Sequence, residues 1–103
     1  AVLYPGLASH PGHAIARRQM TNGFGGMMSL LIKGGEDAAR RFTGALEVFT
    51  QATSLGGVES LAEHRRPIEG PGSTVAPNLV RLSIGIEAAD DLIADIHQAL
   101  GRL

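Results

Sequence analysis

The 103-residue chain contains no cysteine and no tryptophan, and its only lysine is Lys33. Without thiols there can be no disulfide, no thiolate nucleophile and no zinc–thiolate cluster, and a reducing cytoplasm is the expected setting. An excess of positive charge is also missing. The formal net charge is −1 and the arginines are dispersed along the chain, so nucleic acid is not an expected partner. Long apolar runs are absent too: the longest, residues 27–32, is interrupted by Ser29 and falls far short of the roughly 20 residues that cross a bilayer. No membrane association is expected, and no cationic and then apolar lead resembles a secretory signal. The first residues, Ala1-Val2-Leu3-Tyr4-Pro5, read instead as a strand without a polar lead-in, as expected for a piece of a longer protein.

What is present suits one compact domain spanning residues 1–103, with 44% hydrophobic and 18% charged residues. Residues 1–4 read as a strand stopped by Pro5-Gly6. Ser9 is placed to cap a helix with Pro11 in its first turn, continuing through residues 14–20. After the breakers Asn22 to Gly26, residues 27–33 read as a core strand. From Glu36 onward, Ala38, Ala39, Phe42, Ala45, Leu46 and Phe49 fall three or four apart, the stripe of an amphipathic helix, with Glu36 and Asp37 at its positive end. Short strands follow at residues 50–54 and 58–64, then a Pro- and Gly-rich loop from Pro67 to Pro77. A strand over residues 80–87 leads to a final helix carrying Leu92, Ile93, Ile96, Ala99 and Leu100, with Asp90 and Asp91 in its first turn. These elements predict an α+β domain: a mainly antiparallel sheet of about four to five short strands with three helices on one face.

Several motifs invite chemistry and most have plainer explanations. His10 and His13 are three apart, but no third ligand lies near and no metal site is expected. Gly23-Phe24-Gly25-Gly26 precedes a strand rather than a helix, so it reads as a turn and not a phosphate loop. The acidic pairs sit where helix dipoles favour them. Two features are harder to set aside. Ser54-Leu55-Gly56-Gly57 would let backbone N–H groups approach a ligand closely. Arg81, in Val80-Arg81-Leu82-Ser83-Ile84-Gly85, lies on the face opposite Val80, Leu82 and Ile84 if strand alternation holds. Its guanidinium fork suits a carboxylate, either a ligand's or that of Glu59 or Glu63 on a neighbouring strand.

Taken in order, the segments YPGLASHPGHAIARRQ (4–19), GFGGMMSLLIKGG (23–35), SLGGVESL (54–61), RLSIGIE (81–87) and DDLIADIHQAL (90–100) cover nearly the whole chain. Together they resemble the small C-terminal domain of fold-type I pyridoxal-phosphate enzymes of cysteine and methionine metabolism, the transsulfuration family of cystathionine β-lyase, γ-lyase and γ-synthase. The resemblance implies C–S bond cleavage or formation on sulfur amino acids or activated homoserine esters, with the cofactor as electron sink. It implies that Arg81 binds the substrate α-carboxylate and that Ser54 and the backbone of Leu55 lie beside it. In the family the Schiff-base lysine and most cofactor contacts belong to a large domain upstream, so no catalytic residue is expected here and the fragment alone should be inactive. Thr53 stands where many γ-acting members carry glutamate, which marks it as a specificity position. The loop before the arginine strand is shorter than the common insertion. Family members are usually homotetramers. The alternatives are a free-standing, non-catalytic ligand-binding or assembly module derived from that domain, and a ferredoxin-like regulatory domain that binds a small ligand by itself.

Overall fold

The computed structural model describes residues 1–103. Nine elements follow one another: β1 (Val2–Leu3), α1 (His13–Gln19), β2 (Met27–Leu31), α2 (Gly35–Ala45), β3 (Thr50–Gln51), β4 (Leu61–His64), α3 (Arg65–Glu69), β5 (Leu79–Ser83) and α4 (Ala89–Leu100). The strands form one sheet in the order β1-β2-β5-β4-β3, antiparallel except for the β3–β4 pair. The α+β class and the predominantly antiparallel sheet are as the sequence predicts.

Alternation along β5 fixes which face is core. Val80 and Leu82 are fully buried, and with Ala62 of β4 they meet Ala38, Ala39 and Phe42 of α2 and Leu92 and Ala99 of α4. Burying a side chain such as that of Phe42 contributes about 1.5–3 kcal/mol, so this single face supplies most of the apolar stabilisation. Arg81 faces the other way, between Glu63 of β4 and Ser29 of β2 in the ladder.

The helices depart from expectation in number and placement. There are four, because Arg65–Glu69 forms a short α3 where a loop is predicted. Pro67 is compatible with it, since a first-turn residue has no intrahelical acceptor for an N–H. Only α2 and α4 supply buried residues to the core; α1 buries none. Ser9 caps nothing: residues 4–13 make successive turns, with Leu7 N–H on the Tyr4 carbonyl, His10 on Leu7 and His13 on His10, and Gly12 takes the cap position of α1.

Two further boundaries have identifiable causes. The apolar stripe of α2 continues to Phe49, but the helix ends at Ala45. Its would-be successors, the N–H groups of Glu47, Val48 and Phe49, all donate to the carboxylate of Asp95 on α4 at 2.8–2.9 Å. Phe49 still reaches the core, from an extended segment instead of a helix. Likewise, β5 stops at Ser83 rather than at Glu87, because Gly85 is packed against the 58–59 backbone. A Cβ there would stand 2.1 Å from the Val58 carbonyl oxygen.

Candidate functional site

The site is organised by the β4–β5 ladder. Glu63 and Arg81 are directly opposed across it, so their side chains share the face away from the core. Arg81 Nη2 donates to Glu63 Oε2 at 2.9 Å and to the Thr53 carbonyl at 3.1 Å. Of the two neighbouring carboxylates the sequence offers, Glu63 is therefore the partner. Its Oε2 also accepts from Arg65 Nη1 at 2.7 Å, and Arg65 in turn reaches Glu69 at 3.0 Å. Arg81 retains 21% exposure and Glu63 only 7%. Nη1 and Nε of Arg81 carry no hydrogen bond.

The loop that carries Thr53, Ser54 and Leu55 is exposed and tied to the end of β5 by a set of polar contacts. Gly56 N–H donates to the Ser83 hydroxyl at 2.8 Å, and Ile86 N–H donates to the Val58 carbonyl at 2.8 Å. Ser60 is fully buried and central. Its N–H and hydroxyl donate to the two oxygens of Glu87 at 2.8 and 2.7 Å, while its hydroxyl oxygen accepts from Gly85 N–H at 2.9 Å. The backbone and hydroxyl donors of Ser60 hold the Glu87 carboxyl below its ordinary range. Thr53 is thus joined to Arg81 directly, and the glycine turn beyond Ser54 and Leu55 is anchored two residues further along the same strand.

None of Ser60, Ser83, Glu87 and Asp95 stands out in the sequence as a positioning group. Asp95 had a legible signal: it lies three residues after Leu92 and four before Ala99, on the buried face of α4. A carboxylate there requires partners. Burial opposes its ionisation, but the N–H groups of Glu47, Phe49 and Val48 and the Gln98 amide outweigh that and hold it below the ordinary range.

The remaining candidates are accounted for by local structure. His10 Nδ1 accepts from Gly12 N–H at 2.9 Å, and His13 Nδ1 donates to the Pro5 carbonyl at 2.8 Å with its ring 5.5 Å from that of Phe24. Asn22, Gly23 and Gly25 all have positive φ, the mark of a turn. A cavity of about 340 Å³ opens beside Glu63, with Arg40, Gln51, Thr53, His64 and Ile68 in its wall. It shares Thr53 and Glu63 with the arginine site but does not include Arg81 or Ser54.

A Schiff base to pyridoxal phosphate needs a lysine. Lys33 lies past the Leu31 end of β2, opposite the start of β5, whereas the Gly56–Ser83 contact lies at the Met27 end. It also borders an apolar groove with Val2, Leu30 and Leu100. The residues of this chain do not by themselves constitute a site for that cofactor.

The chain matches the family model described as Cys/Met metabolism PLP-dependent enzyme over residues 1–101. It is 52% identical to the cystathionine gamma-synthase of Mycobacterium tuberculosis over 106 residues, covering 98% of this chain and 27% of that protein. It is 48% identical to the L-methionine gamma-lyase of Pseudomonas putida over 105 residues, covering 94% of this chain and 26% of the relative. Its structure superposes on that of metB from Corynebacterium glutamicum with a TM-score of 0.91 at 50% identity, covering 99% of this chain and 28% of the other. The chain therefore spans about a quarter of the length of the relatives it matches, and it belongs to the pyridoxal-phosphate-dependent enzyme family of cysteine and methionine metabolism.

Proposed function

We propose that residues 1–103 form the C-terminal, substrate-binding domain of a larger pyridoxal-phosphate enzyme of the cystathionine lyase or synthase type. In this reading Arg81 receives the α-carboxylate of a sulfur amino acid or an activated homoserine ester. Ser54 and the backbone of Leu55 line the same pocket, and Thr53 contributes to substrate choice. The observation that carries the reading is the presentation of Arg81. Its guanidinium is held from one side by Glu63 and the Thr53 carbonyl, keeps Nη1 and Nε free, and is linked to the loop that bears Ser54. The apolar residues around this rim support it as well. Leu55, Val58 and Ile86 are 53%, 70% and 81% exposed, a surface suited to contact with further protein. The proposed setting is a cytoplasmic homo-oligomer, a tetramer as in the family, with the cofactor held by the rest of the protein.

The test is steady-state kinetics of the complete protein carrying Arg81→Ala or Arg81→Lys. Truncating one member of a charge-assisted pair costs about 2–5 kcal/mol, so KM should rise roughly 30-fold or more with cofactor absorbance unchanged. An unchanged KM in the lysine variant would refute the assignment, because a point charge does not reproduce the fork. The existing pair with Glu63 favours a second reading, in which Arg81 is only a structural ion pair and binds no substrate. That reading predicts a fall in thermal stability in both variants with KM unaltered.

A further inference from the structure

Both bidentate edges of a guanidinium, Nη1/Nη2 and Nε/Nη2, include Nη2, and two parallel N–H···O bonds need one whole edge. In this chain Nη2 of Arg81 is already engaged by Glu63 Oε2 at 2.9 Å and by the Thr53 carbonyl at 3.1 Å. A carboxylate that is to be gripped by two bonds must therefore displace one of these acceptors. The two are unequal. Glu63 is charged, 7% exposed and opposite Arg81 in the ladder, and its Oε1 is buried without a partner. Withdrawing Arg81 from it would strip a buried carboxylate of one of its two cations, which is costly. Thr53 is exposed and its carbonyl is neutral, so water can replace the lost bond.

We infer that Glu63 is the positioning residue of Arg81, pinning one N–H of Nη2, and that the Thr53 carbonyl keeps the place taken by one oxygen of the incoming carboxylate. The inference rests on the reading that Arg81 is the carboxylate-binding residue. Arg65 completes the device. Its bond to Glu63 Oε2 at 2.7 Å gives that buried carboxylate a second cation and holds it in place beside Arg81, while Arg65 is itself fixed by Glu69 at 3.0 Å. A pinned guanidinium has less freedom to lose when the ligand arrives, which lowers the cost of binding.

The experiment compares KM and kcat of the complete protein for its amino-acid substrate in variants that remove the pin but conserve net charge. Glu63→Asp keeps the charge and shortens the reach by one methylene; the double variant Glu63→Gln with Arg65→Gln removes one charge of each sign. In both, KM should rise about threefold to tenfold with kcat and cofactor absorbance unchanged. The same changes added to Arg81→Ala should have no further effect on KM, because Glu63 acts only through Arg81. A KM within twofold of the parent in the double variant, with Arg81→Ala strongly impaired, would overturn the positioning role and leave the carboxylate assignment standing. A normal KM in Arg81→Ala itself would overturn both.

Discussion

Replacing Asp95 by alanine removes a buried carboxylate and should damage the domain severely. Oδ2 accepts from the N–H groups of Val48 and Phe49, and Oδ1 accepts from Glu47 N–H and from the Gln98 amide at 3.0 Å. Alanine leaves all three backbone donors without an acceptor, whereas asparagine keeps one oxygen and so retains the bonds of one side of the carboxylate. The Phe49 bond is buried and the Glu47 and Val48 bonds are partly buried. Taking about 2–3 kcal/mol for the buried N–H and about 0.5–1 for each of the others gives a loss of roughly 3–5 kcal/mol. For a domain of this size that is a fall in Tm of roughly 15–25 °C. Urea unfolding followed by circular dichroism should give a lower midpoint at unchanged m for Asp95→Ala, with a smaller loss for Asp95→Asn. The acid dependence supplies a second check. The carboxyl is held below its ordinary value in the folded chain, so its contribution is complete above about pH 4 and is lost as pH falls through the lowered folded value. The difference between parent and Asp95→Ala should therefore narrow on acidification. A loss of less than about 1 kcal/mol at neutral pH would refute the claim that Asp95 terminates α2 and sets the start of β3.

Two glycines should respond in opposite ways to alanine. Gly85→Ala places a Cβ 2.1 Å from the Val58 carbonyl oxygen, a backbone atom that cannot swing aside, and should cost about 1–3 kcal/mol or more by thermal melting. Gly44→Ala, within α2 and with nothing within 4 Å of the new methyl, should be neutral or stabilising by up to about 1 kcal/mol. Equal effects at the two positions would show that close packing at Gly85 is not what holds it. Ser60→Ala should cost about 1–3 kcal/mol, because Gly85 N–H loses its acceptor and Glu87 a donor. Unchanged denaturant midpoints in that variant would show that the Ser60–Glu87 contact contributes nothing.

The sheet and the core were legible because period-2 and period-3.6 patterns report burial directly. Val80 and Leu82 lie on one face and Arg81 on the other, as alternation requires, and Ala38, Ala39 and Phe42 line the buried side of α2. The errors fall where polar tertiary contacts override local pattern. The stripe through Phe49 is real, yet Asp95 diverts the N–H groups that would have continued the helix. Alternation over residues 58–64 predicts one strand, yet only Leu61–His64 form β4, and Ser60 and Gly85 lock the first half into a bend. Ile93 and Leu100, expected on the apolar side of α4, are exposed, and Asp95 takes the buried side instead. At the site, residue type and register together limited the partner of Arg81 to Glu59 or Glu63. That a second arginine would share the same oxygen depends on the α3 turn, which Pro67 and the surrounding glycines hid.

The connection between α3 and β5 bears on how this domain can change over generations. Residues 70–76 are tied to their own neighbours: Ser73 to Gly70 and Glu69, Val75 to Ser73 and Arg66. The register of β5, in contrast, is set by β2 and β4 through residues distant in sequence. Length can accordingly be gained or lost at the tip of this loop without sliding Arg81 along the sheet. Between Gly56 and Ser60 the reverse holds, since each contact there spans 25 residues or more and fixes the count of residues between its ends. Diversification by insertion and deletion is thereby steered to one side of the molecule, while the other can vary only by exchanging side chains such as Thr53.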